Sequence, residues 1–272
     1  MSSRSLHALR IFSVSMLLAP ALVAQEPAKK APRIADNSFL VEEAYNQEEG
    51  VVQHVGAFRR APDGAWLFTF TQEWPVSSQR HQLSYTAPLV SNALGGTAAG
   101  DLALNYRYQA LGRDETRVWF SPRISAVFPT GDPETGHGLG GPGLQVNLPL
   151  SVDLTNTVVT HWNAGATATR ARNPVGTRRT LRSVNAAASA IWLVASNVNL
   201  MLESTWERVE SFDPLEITRT DGRFVLMPGV RGAINLDSGT QIVPGVGLPF
   251  VTSAGRTDRE IFLYLSVEHS FR

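Results

Sequence analysis

The sequence predicts an all-β chain, a transmembrane antiparallel up-and-down β-barrel of about twelve strands, on three observations. Apolar and polar residues alternate with a period of two through most of the chain, the pattern a pleated strand shows when its two faces meet different surroundings. Alternating runs are joined by short links at one end and by links rich in Gly, Pro and charge at the other. The final run, Glu260 to Phe271, is nearly all apolar on one side and closes on an aromatic.

The first residues read as an export signal. Arg4 and Arg10 supply a basic region, Ile11 to Leu18 an apolar one, and Pro20 to Ala24 a small-residue exit, which places a cut after Ala24 and assigns 1–24 to a signal peptide. The apolar stretch is shorter than the ~20 residues a membrane-spanning helix needs. The chain of 272 residues has no cysteine, which removes disulfides, thiolate metal sites, thiol catalysis and a cysteine-linked lipid anchor together. With 24 basic and 24 acidic residues, its charge gives no reason to invoke nucleic acid.

Residues 25–50 form a flexible leader followed by a periplasmic lead-in. Gln25 to Arg33 is rich in Ala, Pro and Lys. The stretch holding Phe39, Leu40, Val41 and the acids Glu42, Glu43, Glu48 and Glu49 is expected to pack on the barrel floor.

The barrel is predicted over 51–272, with strands at 51–60, 65–74, 80–89, 101–111, 116–128, 143–154, 157–169, 181–194, 197–209, 222–236, 240–251 and 260–271. An even count brings both termini to one side. Alternation is cleanest where Leu144, Val146, Leu148, Leu150, Val152 and Leu154 oppose Gln145, Asn147, Pro149, Ser151 and Asp153. It is as clear where Val198, Leu200, Leu202 and Trp206 oppose Asn199, Glu203, Thr205 and Glu207. A slip of one residue would turn those polar groups outward, so the register is strongly specified. An arginine is expected to be costly at Leu148 and Leu202 and far better tolerated at Asn147 and Glu203.

Links at 75–79, 112–115, 155–156, 195–196 and 237–239 are short, whereas those at 90–100, 129–142, 170–180 and 210–221 are expected to be long loops. Aromatics gather near the run ends, among them Trp66, Trp74, Tyr106, Tyr108, Phe128, Trp162, Trp192, Trp206, Phe224 and Phe271, as interfacial girdles require.

With the apolar side outward, the lumen receives Arg107, Arg117, Arg123, Arg223 and Arg231, and the acids Asp101, Asp153, Glu203, Glu207 and Glu268. Charged groups inside a pore tune which ions pass. Arg107 and Arg123, on neighbouring strands, form either a basic patch or one side of a ladder paired with acids. The glycines at 131, 136, 138, 140 and 141 mark 129–142 as a loop that folds inward as a constriction, carrying Asp132, Glu134 and His137. It lacks the Lys and the following helix of a phosphate-binding loop.

Catalysis has no foothold in the pattern. The six histidines, at 7, 54, 81, 137, 161 and 269, fall in no hydrolase motif, and His269 and Ser270 are adjacent but on opposite faces. No metal-spaced cluster is present in the sequence and no cofactor is expected.

The stretch Ile124-Ser-Ala-Val-Phe-Pro-Thr-Gly-Asp132, then Gly136-His-Gly-Leu-Gly-Gly-Pro-Gly143 and Leu144-Gln-Val-Asn-Leu-Pro-Leu-Ser151, resembles the MetA-pathway phenol-degradation family of outer-membrane transporters. So does the lead-in Glu43-Ala-Tyr-Asn-Gln-Glu-Glu-Gly-Val-Val-Gln-His54. The resemblance implies a β-barrel with an outer-membrane role and supplies no catalytic residue; the function expected is passage of small solutes, anionic by the field of inward Arg107 and Arg123 or aromatic by association with the family's name. Its implied partners are outer-membrane lipid, the barrel assembly machinery acting on the C-terminal strand, and a small-molecule solute. The alternative is a non-conducting structural or adhesion barrel that works through its long loops.

Overall fold

The computed structural model describes residues 37–94, 96–112, 116–173, 175–212 and 218–271, and all regular structure among them is strand. The signal peptide and the leader to Arg33 lie outside the described residues.

Segments that continue one another across a break of one or two residues make twelve barrel strands. Strands 1 to 3 are Val51–Arg60, Trp66–Val76 and Ser78–Asn92. Strand 4 joins Gly96–Ala99 to Leu102–Tyr108, strand 5 joins Val118–Phe120 to Arg123–Phe128, and strand 6 joins Gly143–Asn147 to Leu150–Asp153. Strands 7 to 9 are Val158–Arg172, Arg178–Ala195 and Val198–Phe212. Strand 10 joins Thr218–Gly232 to Ile234–Asn235, strand 11 joins Gln241–Gly247 to Phe250–Ser253, and strand 12 joins Arg256–Arg259 to Ile261–Ser270. Pro122, Pro149 and Pro249 occupy three of the breaks, where a residue without an N–H costs the ladder nothing.

Each strand pairs antiparallel with the next, and strand 12 returns to strand 1 from Val51↔Ser270 to Arg60↔Ile261. The ring therefore has no open edge, so every strand satisfies its backbone groups with its neighbours. The two faces differ as the alternation requires. Leu148 and Leu202 are 42% and 49% exposed, while their chain neighbours Asn147 and Glu203 are 6% and 0% exposed. Outward faces are apolar, and exposed Trp162 and Trp192 lie toward the short-link end, with Phe128, Trp206 and Phe224 toward the other.

Two expectations about links are corrected. Strands 3 and 4, 7 and 8, and 9 and 10 stay paired up to Asn92↔Gly96, Arg172↔Arg178 and Phe212↔Thr218, so three of the four links expected to be long loops are mostly hairpin. Their Gly and charge report exposure to water on both faces, which a paired hairpin tolerates as well as a loop does. Among the described residues, 129–142 is the one long loop at that end. At the other end the link after strand 4 runs over 109–117, longer than its turn residues suggested.

Candidate functional site: the lumen and the segment inside it

Residues 37–47 have no regular structure and lie inside the barrel, where lumen-facing side chains hold their backbone. This revises the floor-packing expectation. An irregular segment carries unpaired N–H and C=O groups, and it can be buried only where other groups satisfy them. Here the barrel wall does so residue by residue.

The firmest anchor is Glu203 on strand 9. Its carboxylate accepts the backbone N–H groups of Phe39 at 2.6 Å, Leu40 at 2.7 Å and Val41 at 3.2 Å. Phe39 then packs its ring on Phe262 and Tyr264, with centroids 5.3 and 4.9 Å away. Gly229 and Gly245 leave the room for it, because a Cβ at either would sit 2.8 or 2.5 Å from the Phe39 ring.

Further along, Asn163 accepts the Glu42 N–H at 2.8 Å, Ser151 the Ala44 N–H at 2.8 Å, Gln109 the Asn46 N–H at 3.0 Å and Gln82 the Gln47 N–H at 2.7 Å. Ser121 donates to the Ala44 carbonyl. The amides and hydroxyls on the inward faces thus form a template for this segment.

A second anchor is ionic. Arg107 and Arg123 are directly opposite each other on strands 4 and 5. Glu42 lies between them, 3.2 Å from Arg107 Nη1 and 2.9 Å from Arg123 Nε. Arg107 also donates to the carbonyls of Glu43 and Tyr45 and to Asn46 Oδ1, and it lies 3.8 and 3.9 Å from the carboxylates of Glu43 and Glu73. Arg123 extends to Asn105, Ser125 and Gln145. Burial alone would raise the Glu42 carboxyl, but Arg123 and Arg107, with hydrogen bonds from Asn147 and Arg123, hold it below its ordinary value. The two arginines brace the segment and are not a free basic patch.

Above the segment, toward the long-loop end, lies a cavity of about 350 Å³. Asn147, Asn163, Asn185, Gln145, Thr167 and Thr205 give it a polar lining. Arg123 stands on one wall, and Arg59 and Arg223 on another. Arg59 pairs with Glu260, and Arg223 lies 3.4 Å from Glu207 and 3.8 Å from Glu260. The buried Nη2 of Arg223 has no hydrogen-bond partner among the described residues.

Of the other residues expected in the lumen, Arg231 is inward and buried, and Glu268 faces inward in register with Gln53 and Gln241. Arg117 is exposed at the short-link end, 3.4 Å from Asn156. The loop 129–142 makes its hydrogen bonds along the rim. Asp101 accepts the N–H of Gly131 and of Leu139, His137 reaches the Gly96 carbonyl, and Asn92 donates to Thr135 and Gly136. Asp132 and Glu134 are bound up in the loop itself. The narrowing of the bore comes from residues 37–47, whose Glu42, Asn46 and Gln47 were not singled out as lumen groups. Their signal in the sequence was an acid and amides in a stretch with no period of its own.

Twelve antiparallel strands closed into a ring, apolar outside and polar inside, define a transmembrane β-barrel of the outer-membrane type. Among solved structures, the chain is similar to an outer-membrane channel from Pseudomonas putida F1, with a TM-score of 0.63 and 12% identity over 84% of this chain and 98% of that one. It is also similar to the NanC porin, with a TM-score of 0.50 and 13% identity over 81% of this chain and 99% of the porin. At such identities the likeness establishes the fold. No family model matches the sequence, so the MetA-pathway resemblance has no support at that level. No curated protein matches it either.

Proposed function

We propose that this protein is an outer-membrane channel for small solutes, whose bore is set by its own residues 37–47. The observation that carries this reading is the wall itself: inward amides, hydroxyls and charges hold an irregular segment and still leave a polar cavity beside it. A barrel serving only as a scaffold has no use for a polar cavity, and an adhesion barrel needs more working surface than one long loop, 129–142, beside the short links 61–65, 93–95, 173–177 and 254–255.

The solute that suits this lining is small, polar and anionic. Arg59, Arg123 and Arg223 line the cavity beside Glu42 and Glu207, and guanidinium groups present donors that match an acid group. An aromatic solute rests on the family resemblance and finds few apolar faces in this cavity.

Single-channel recording in planar bilayers tests the reading. The intact protein should give a small unit conductance, and Glu203→Ala, which strips three backbone N–H groups of their acceptor, should raise it several-fold. Arg223→Gln should shift the reversal potential in a salt gradient toward cations. Equal conductance with and without the Glu203 carboxylate would refute the role of the segment, and silence in every variant would refute conduction.

A further inference from the structure

On the outside of the barrel, strands 7, 8 and 9 carry arginines at the loop end and almost nothing to neutralise them. Outward positions on these strands are the even-numbered ones, as exposed Trp162, Trp192, Leu202 and Trp206 mark. Continuing that parity places Arg170 and Arg172 on strand 7, Arg178 and Arg182 on strand 8 and Arg208 on strand 9 on one outer face.

Their registers bring them close. Arg172 is directly opposite Arg178, Arg182 is opposite Ala168 and just beyond the first strand 8–9 pair, Ser183↔Val209, and Arg208 is opposite Val184. Like charges opposite each other on one face of a sheet are destabilising. Among the described residues none of the five forms an ion pair; the one acid of the patch, Glu210, spends an oxygen on the backbone N–H of Arg182 at 2.9 Å.

Height supplies the second observation. Trp162 to Arg170 and Trp192 to Arg182 span about 27 and 34 Å of strand at ~3.4 Å per residue. At the ~35–45° tilt of such barrels, that is close to the ~25 Å height of the apolar band. Below the arginines the outer face is Ala164, Ala166, Ala168, Ala186, Ala188, Ala190 and Val184, and Trp206 sits two residues beneath Arg208. The arginines therefore stand at the headgroup level of the leaflet on the loop side. Guanidinium groups at that level match phosphate oxygens in charge and in bidentate geometry.

We propose that this outer face of strands 7–9 is a binding surface for the phosphate groups of a phosphorylated glycolipid in the outer leaflet. The inference rests on the outer-membrane placement proposed above and is independent of conduction. A barrel that passes no current but retains the glycolipid leaves it standing; one that conducts but retains none refutes it alone.

The test uses the full barrel in phosphatidylcholine nanodiscs carrying diphosphorylated lipid A, with bound lipid counted by native mass spectrometry. The intact protein should retain lipid A at least tenfold better than Arg170→Gln/Arg178→Gln/Arg182→Gln. Arg256→Gln/Arg259→Gln, at the rim on strand 12, should behave as the intact protein. Dephosphorylated glycolipid should not be retained, and retention should fall as salt rises from low to high ionic strength. Retention unchanged in the triple variant overturns the proposal, as does equal competition by inorganic phosphate or phosphatidylglycerol at matched phosphate, which would mark a nonspecific anion site. If the triple variant fails to fold, single Arg178→Gln and the salt dependence of the intact protein decide the question.

Discussion

Two pairs of arginines in this barrel have the same sheet geometry and opposite surroundings. Arg107↔Arg123 and Arg172↔Arg178 are both directly opposed on adjacent antiparallel strands, an arrangement that repels unless something negative intervenes. Inside the lumen the chain itself intervenes, by threading Glu42 between the two guanidinium groups. Outside, no described acid does so. A repulsive pair therefore points to a missing third group, and its location says whether that group belongs to the chain or to the surroundings.

Removing the inner third group should have the largest effect. Glu42→Gln leaves two poorly solvated guanidinium groups facing each other, and breaking a buried ion pair from one side costs ~3–5 kcal/mol. The segment 37–47 should leave the lumen, which would be read as a rise in unit conductance and as new protease cleavage in that segment. Adding Arg107→Gln and Arg123→Gln to Glu42→Gln should restore much of the closed conductance, because the repulsion goes with the charges. An equal rise in the single and triple variants would mean that Glu42 acts only through its hydrogen bonds.

Charge on the outer face away from the headgroups sharpens the contrast. Leu148→Arg and Leu202→Arg place a guanidinium against the apolar band, where no phosphate reaches, at a cost of ~2–4 kcal/mol near the midplane. Asn147→Arg should be milder in its effect on barrel folding, read as heat-modifiable gel mobility. The sequence-based expectation that Glu203 would also tolerate arginine is revised. That carboxylate holds three backbone N–H groups, so Glu203→Arg should keep the barrel and lose the segment. Equal folding yields at both parities would refute the assignment of faces.

The approximate strand number and the facing of side chains on the strands with clean alternation were legible in the sequence, though not the facing of the first and third strands, because alternation is a property of neighbours in the chain. Arg107, Arg123 and Glu203 were placed inward for that reason alone. What they touch was not legible, since Glu42 meets Arg123 across 81 residues through hydrogen bonds between an irregular segment and side chains from several strands. Alternation has nothing to say about a segment without a period. The links were misjudged for a related reason, because composition at 170–180 and 210–221 reports water on both faces, which extended hairpins share with loops.

Acid should loosen the inner arrangement by a smaller and reversible step. Glu42 faces Arg107, Arg123, Asn147 and Asn163, with Glu43 and Glu73 near Arg107, and its carboxyl titrates below its ordinary value of about 4.5. A lowered carboxyl contributes stability that is fully present above the ordinary value and is lost as pH falls through the lowered one. Conductance of the intact protein should therefore rise in a step as pH drops well below 4.5, and Glu42→Gln should lack this step. A rise that survives in Glu42→Gln would assign the acid response to another carboxylate.

The smallest effect separates the two pairs by sign. In a neutral detergent without phosphate, Arg178→Gln relieves the repulsion with Arg172 and should stabilise the barrel by ~0.2–1 kcal/mol, the size of one cross-strand pair. In nanodiscs containing diphosphorylated lipid A the same substitution removes a phosphate contact, so its thermal midpoint should fall below that of the intact protein. Glu42→Gln should destabilise the segment in both media, since its counter-charge comes from the chain. If Arg178→Gln is stabilising in both media, the outer pair has no partner in the leaflet and its repulsion is simply borne by the hairpin; a midpoint that crosses over with the lipid identifies the third group as external.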